Sequence, residues 1–245
     1  MAIASLLHRA WFGKGGGLLR SPIYRLWWRW KREEPAILTG PLRGYLFPDP
    51  EITARLGIAD LPVQRWLCQR LRPGDTAYLY EDPLGLLSLL AAARVCPGGN
   101  VYGMVPRPGA LPGLAELRGG NQAENLHFLP LLLGKETKPP GFDSSTHAWI
   151  PPQASLDLAA TQLHPPDLVY LAPEAERSEI ESILDGASQL LANSYPHTWI
   201  IQAKSPAEAR TVEGRLREAR YDCWRPSGSS PGLLIALRSP VHSVE

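Results

Sequence analysis

From residue 72 onward, short apolar runs of strand length alternate with longer segments whose apolar residues recur at helical spacing. The short runs, mostly bounded by Pro, Gly, Asn or Asp, predict strands at 76–80, 100–105, 126–132, 167–171, 198–202, 221–224 and 233–237. The longer segments predict helices at 84–95, 111–119, 178–192 and 206–219, and a further helix at 63–71 precedes the first strand. Residues 134–147 form a polar loop in this interpretation.

This alternation predicts the fold class. A parallel strand is reached through a crossover connection, which is usually a helix, so alternating strands and helices indicate βαβ units. We therefore expect an α/β fold with a mostly parallel central sheet and helices on both of its faces. The length of 245 residues suits one large domain, and we assign it to residues 36–245.

Residues 1–35 follow a different pattern and are predicted to be a helical extension. A glycine-rich joint at 13–17 leads to Ser21-Pro22, where Pro22 suits the first position of a helix and Pro35 ends it. One face of this helix is apolar, with residues at i, i+3, i+4 and i+7: Ile23, Leu26, Trp27 and Trp30. The arginines at 25, 29 and 32 share the opposite side.

The basic and aromatic side chains of this extension are candidates for a contact surface: Arg25, Trp27, Trp28, Arg29, Trp30 and Arg32. Tryptophan favours membrane interfaces and arginine pairs with anionic headgroups, so the helix can lie on a membrane surface. Trp and Arg are also common anchors in protein interfaces, which favours docking to a larger protein assembly. A third interpretation places the Trp face on this protein's own sheet, with the arginines in water.

Composition narrows the classes of function. Hydrophobic residues make up 44% and charged residues 20% of the chain, as in folded soluble proteins. The formal net charge of +1 argues against a nucleic-acid partner. No apolar run reaches the 18 residues of a membrane span, and His8 and Arg9 interrupt the only stretch that resembles a signal peptide. We expect a cytoplasmic protein that can be peripheral on a membrane.

Metal chemistry has little support in the sequence. The three cysteines are far apart and form no CxxC pair, which is typical of a reducing compartment. The six histidines show no HxxxH or HExxH spacing. We therefore expect no metal site.

Several short motifs recur in a set order along the chain. The longest is LRPGDTAYLYEDPLGLLSLLAAARVCPGGNVYGMVPRP, which contains a GD turn, a strand, a turn, a helix and a second strand. Ser155-Leu156-Asp157 and the pair of segments at 167–169 and 183–187 follow. Together these resemble the FkbM-type family of class I, S-adenosylmethionine-dependent methyltransferases over residues 36–238. The resemblance implies a Rossmann-like class I methyltransferase fold.

The cofactor motifs of that family are overwritten here. The family pattern D-x-G-A-x-x-G falls on residues 79–85, where the acid is Leu79, the first glycine is Glu81 and only Gly85 survives. The acid that binds the ribose hydroxyls after the second strand falls on Val105, and an apolar side chain cannot accept those hydrogen bonds. The family's third motif, K-I-D-V-E-G-A-E, falls on residues 170–177, where the Lys and Asp are absent and Glu174 fits an acidic position.

These losses predict a methyltransferase-like protein with degenerate S-adenosylmethionine motifs and without catalysis, which serves as an interaction or structural subunit through residues 1–35. No cofactor is then expected. The alternative is an active O-methyltransferase acting on a hydroxyl of a saccharide or secondary metabolite. It would hold S-adenosylmethionine through Glu81, Asp82, Gly85 and Glu174. A simpler interpretation of Asp82-Pro83, which we favour, is that it begins the next helix.

Overall fold

The structure, a computed structural model, describes residues 36–47, 52–143, 148–173, 178–193, 195–226 and 232–238. The predicted N-terminal extension, residues 1–35, and the candidate acid Glu174 lie outside the described residues. Within those ranges, no helix is both long enough and apolar enough to cross a membrane.

The strands occur close to where the apolar runs predict them. They are β1 (Thr76–Tyr80), β2 (Asn100–Met104), β3 (Leu126–Leu129), β4 (Leu132–Leu133), β5 (Gly141–Asp143), β6 (Ala148–Ile150), β7 (Gln153–Ala154), β8 (Leu168–Leu171), β9 (Thr198–Gln202), β10 (Tyr221–Trp224) and β11 (Leu233–Arg238). Seven of them form the main sheet, in the order β10-β11-β9-β8-β1-β2-β3. The five from β9 to β3 are parallel, and β11 is antiparallel to β9 and β10. The predicted mostly parallel sheet is confirmed.

The helices connect these strands. They are α1 (Ile52–Arg55), α2 (Leu61–Arg70), α3 (Leu86–Val95), α4 (Leu111–Gly120), α5 (Leu156–Gln162), α6 (Ser178–Asp185), α7 (Ser188–Ala192) and α8 (Pro206–Glu218). The longest, α8, has Ser205 as its N-cap: Ser205 Oγ accepts the Glu208 N–H at 3.1 Å, and Glu208 Oε2 accepts the N–H of the preceding Lys204 at 2.8 Å. The bond from Glu208 N–H to Ser205 satisfies a backbone donor that a helix start leaves without a partner.

The two faces of the sheet carry separate apolar cores. Alternate residues of β1 point to opposite faces, so Ala77 and Leu79 pack with α2, α3 and α4. Tyr78 and Tyr80 pack on the other face with α5, α6 and α8. All five residues of β1 are buried, as expected for a central strand of a parallel sheet with both faces covered.

Three predicted boundaries are wrong, each for a local reason. The predicted strand 126–132 stops at Leu129, because Pro130 has no N–H for the ladder. The predicted helix 178–192 is divided into α6 and α7 at Gly186, whose hypothetical Cβ would lie 2.2 Å from the Gly134 carbonyl oxygen. The predicted polar loop contains the short strand β5, which pairs with β6.

Asp157, which belongs to the SLD motif, has a structural role at the break between these helices. One carboxylate oxygen accepts the Leu190 N–H at 2.9 Å, and the other accepts the Gln189 N–H at 2.9 Å and the Ser188 hydroxyl at 3.2 Å. The side chain therefore caps α7 from α5 and ties the two helices together.

Candidate functional site

The strand order places a crevice at the carboxyl ends of β1 and β8. The chain passes outward from β1 to β2 and β3, and then returns to β8 and β9 on the other side of β1. In open α/β sheets, ligands bind outside the carboxyl ends of the strands where the order reverses in this way. The register pairs Tyr80 with both Met104 and Leu171, so the three strands end at the same level. The turn after β1 therefore forms the floor of this crevice.

Glu81 occupies this turn with a backbone conformation that favours glycine. Its φ is 57°, in the left-handed region, which costs a side-chain-bearing residue about 1–2 kcal/mol. Its N–H donates to the Met104 carbonyl at 3.2 Å, which holds the turn against β2. The turn thus has a backbone geometry that favours glycine and carries a glutamate.

The Glu81 side chain is buried and pairs with Arg107 from the segment after β2. Only 6% of the Glu81 side chain is exposed, and its Oε1 lies 3.9 Å from Arg107 Nη2. This pair links the carboxyl ends of β1 and β2, where a cofactor of this fold class would lie. The Arg107 side chain is 57% exposed, so water screens the pair and a displacement of arginine costs little.

Asp82 is buried beside Glu81 and is bound to the start of α3. Its Oδ2 accepts the Ser88 N–H at 2.6 Å. Burial raises the pKa of Asp82 to about 6, and the hydrogen bonds from Ser88 and Leu87 oppose that rise. The helix itself starts at Leu86 with Gly85 as its N-cap, so the prediction that Asp82-Pro83 begins it is wrong. Asp82 still caps the helix, from three residues before Gly85.

Gly85 is favoured by its backbone conformation and by packing. Its φ is 70°, and a Cβ at this position would lie 2.6 Å from the Cδ2 atoms of both Leu114 and Leu117 on α4. The glycine thus allows α4 to lie against the turn, and its presence needs no cofactor.

Val105 contributes an apolar wall where the family places a ribose-binding acid. It is 5% exposed and belongs to the core on the α3 face of the sheet. Its N–H donates to the Leu129 carbonyl at 2.8 Å, so the backbone extends the β2–β3 pairing. The residue has no group that can accept a hydroxyl hydrogen bond.

A cavity of about 450 Å³ lies next to the turn, at the carboxyl ends of β1, β8 and β9. We name it the carboxyl-end cavity; its polar lining consists of Asp60, Glu81, Asp82, Tyr170, Gln202 and Lys204. Tyr170 OH donates to Gln202 Oε1 at 3.1 Å. Burial raises the pKa of Tyr170 well above its ordinary value, and the negative charges of Asp60 and Asp82 add to this rise. The cavity therefore has a polar lining in which carboxyl groups outnumber the lysine.

Sequence reasoning identified only part of this lining. Glu81 and Asp82 are brought together in the cavity wall, and Gly85 lies behind them under α4. Gln202 and Lys204 were missed, although Gln202 ends a predicted strand and Lys204 follows it. The rule that ligands bind at the carboxyl ends of parallel strands could have found both. Asp60 precedes α2 in the chain, and no pattern in the sequence connects it with β1. Among the described residues, no three His, Cys, Asp or Glu side chains are placed to hold one metal ion.

The parallel sheet, its strand order and the crevice at the switch point define the Rossmann-like fold of class I methyltransferases. Among solved structures, the chain is similar to a precorrin-6y C5,15-methyltransferase from Geobacter metallireducens GS-15. The TM-score is 0.50 at 13% sequence identity, and the match covers 73% of this chain and 88% of that one. It is similar as well to the methyltransferase FkbM from Methylobacillus flagellatus KT, with a TM-score of 0.50, 12% identity and coverage of 80% of this chain. The match spans 63% of that FkbM chain. No family model and no curated protein sequence matches the chain.

Proposed function

We propose that this chain is a degenerate, FkbM-like methyltransferase homologue that does not transfer methyl groups and acts as an interaction or structural subunit. The observation that carries the proposal is the buried Glu81 side chain in the turn after β1, paired with Arg107. A side chain at a position of close approach excludes a ligand sterically.

Lost hydrogen bonds add to this exclusion. Leu79 and Val105 stand where the family motifs carry acids, and both side chains belong to the apolar core. Each missing hydrogen bond to the cofactor weakens binding by about 1–3 kcal/mol. Two such losses lower the affinity for S-adenosylmethionine by between about 30-fold and about 10⁴-fold.

An active O-methyltransferase is the second candidate, and the carboxyl-end cavity favours it. About 450 Å³ of open space beside Glu81 and Asp82 is enough to admit part of a ligand. In this case S-adenosylmethionine would be the cofactor, and a hydroxyl of a saccharide or secondary metabolite would be the acceptor. The two carboxyl groups would replace the lost acids from new positions.

Calorimetric titration of the full chain with S-adenosylmethionine and S-adenosylhomocysteine separates the two candidates. We expect no detectable binding at millimolar ligand. Glu81→Gln keeps the shape of the side chain and removes its charge, and Glu218→Gln does the same at an exposed position on α8. Micromolar binding that Glu81→Gln weakens about tenfold and Glu218→Gln leaves unchanged would contradict the proposal and establish the alternative.

The subunit role is proposed to depend on residues 1–35, through docking to a membrane surface or a protein assembly. The support is the sequence itself, with three tryptophans and three arginines between residues 25 and 32. For membrane docking, we expect the full chain to sediment with vesicles that contain anionic lipid. Replacing the arginines at 25, 29 and 32 by glutamine should abolish this at about 0.15 M salt, where headgroup attraction still acts.

Neutral vesicles and an Arg210→Gln variant, which removes an exposed arginine of α8, are the controls. Equal sedimentation of the triple arginine variant would contradict electrostatic docking to a membrane. Absence of vesicle binding by the unmodified chain would leave the protein-assembly form of the proposal, which crosslinking with and without the Trp27, Trp28 and Trp30 side chains tests.

A further inference from the structure

A second polar cavity lies at the opposite edge of the sheet from the candidate site. Its volume is about 470 Å³, and it is situated at the amino ends of β1, β8 and β9. We name it the amino-end cavity; its charged or titratable lining consists of Arg70, Arg72, Asp75, Asp167, His197 and Arg238. Three arginines from two separate parts of the chain, the end of α2 and the end of β11, therefore line one space.

Arg70 is held in place before any ligand arrives. Its guanidinium lies over the Trp66 ring, 5.3 Å from the ring centroid, and Trp66 in turn packs against Trp224 at 5.5 Å. Stacking on an aromatic face fixes the plane of an arginine and orients its donors. The Nε of Arg70 is buried and has no hydrogen-bond partner in the described part of the chain.

The two carboxylates of the cavity are engaged by the backbone. Asp75 Oδ2 accepts the Arg72 N–H at 2.8 Å, and Asp167 Oδ2 accepts the Thr76 N–H at 2.8 Å. Burial raises the pKa of Asp75, and the negative charge of Asp167 adds to that rise. The carboxylates thus have structural roles at the strand ends, while the arginines outnumber them by three to two.

We propose that the amino-end cavity binds the phosphate group of a small anionic molecule, with Arg70 as its central ligand and Arg72 and Arg238 as further donors. Guanidinium groups bind phosphate oxygens through paired, charge-assisted hydrogen bonds. The fixed plane of Arg70 presents its terminal guanidinium donors at low conformational cost. This site is independent of the carboxyl-end cavity and of the proposed loss of methyl transfer.

The test is calorimetric titration of the full chain at low salt with inorganic phosphate and, separately, inorganic pyrophosphate. We expect saturable binding of at least one of them. Arg70→Gln and Arg238→Gln should each lower the affinity by about tenfold or more, because each removes a charged donor. Asp75→Asn keeps an oxygen for the Arg72 N–H and removes a negative charge, so it should raise the affinity. Arg210→Gln, on the exposed surface of α8, should leave it unchanged.

The affinity is expected to fall in Arg70→Gln and to rise in Asp75→Asn, so general damage to the protein cannot explain both results. If Arg70→Gln loses its fold, as urea unfolding would reveal, Arg238→Gln and Asp75→Asn still decide the question. Absence of binding by the unmodified chain at millimolar concentrations of both anions would overturn the proposal. An equal loss in Arg210→Gln would overturn it too, because attraction to surface charge alone would then explain the binding.

Discussion

Replacing Gly85 by alanine is expected to lower the free energy of unfolding by about 2–4 kcal/mol. Two effects add at this position. The φ of 70° is unfavourable for alanine, and the new Cβ would lie 2.6 Å from methyl carbons of Leu114 and Leu117. Since these leucines belong to the packed core, their side chains have to shift within it to make room. Urea unfolding followed by circular dichroism measures the change.

Gly113→Ala is the matched control, because Gly113 lies on α4 with no atom within 4 Å of a hypothetical Cβ. Alanine is favoured over glycine inside a helix, so the free energy of unfolding of this variant should rise by about 0.5–1 kcal/mol. The comparison separates two explanations of Gly85. A Gly85→Ala protein of normal stability would contradict the packing explanation, and the glycine would then need a ligand to account for it.

The main sheet could be predicted from the sequence because its strands are short, apolar and regularly spaced. The run TAYLY is buried at all five positions, and its burial can be predicted without knowing which strands lie beside it. The order of the strands in the sheet is harder to predict from the sequence. The family resemblance implied the class of fold, whereas apolar periodicity alone predicts only that parallel strands are joined by helices.

The positions of single side chains at the site could not be predicted, because they depend on backbone turns and on distant parts of the chain. Asp82-Pro83 has the composition of a helix start, yet the left-handed conformations of Glu81 and Gly85 delay α3 until Leu86. The Asp82 carboxylate then reaches Ser88 across that turn. Similarly, Arg70 and Arg238 share the amino-end cavity only because β11 is inserted beside β9.

The stability of the protein should carry a signature of the Asp82 carboxyl group between about pH 4 and pH 6. The pKa of Asp82 is about 6 in the folded protein against 3.8 for an ordinary aspartate. Below pH 3.8 the group is neutral in both states, and its burial then carries no charge penalty. As the pH rises to 6, the unfolded chain ionises first, so the contribution of Asp82 to stability is lost. The total loss is about 3 kcal/mol.

Asp82→Asn removes this ionisation and retains an oxygen that can accept the Ser88 N–H. As the pH rises from 4 to 7.5, the free energy of unfolding of the variant should therefore increase by about 2–3 kcal/mol relative to that of the unmodified protein. Urea unfolding of both proteins at these two pH values measures the gain. Gly113→Ala changes no titratable group, so its free energy of unfolding should change with pH as that of the unmodified protein does. If the free energy of unfolding of Asp82→Asn also changed with pH as that of the unmodified protein does, the buried carboxyl would ionise in the folded protein without cost. A positive group, such as the Lys204 ammonium of the same cavity, would then have to lie beside it.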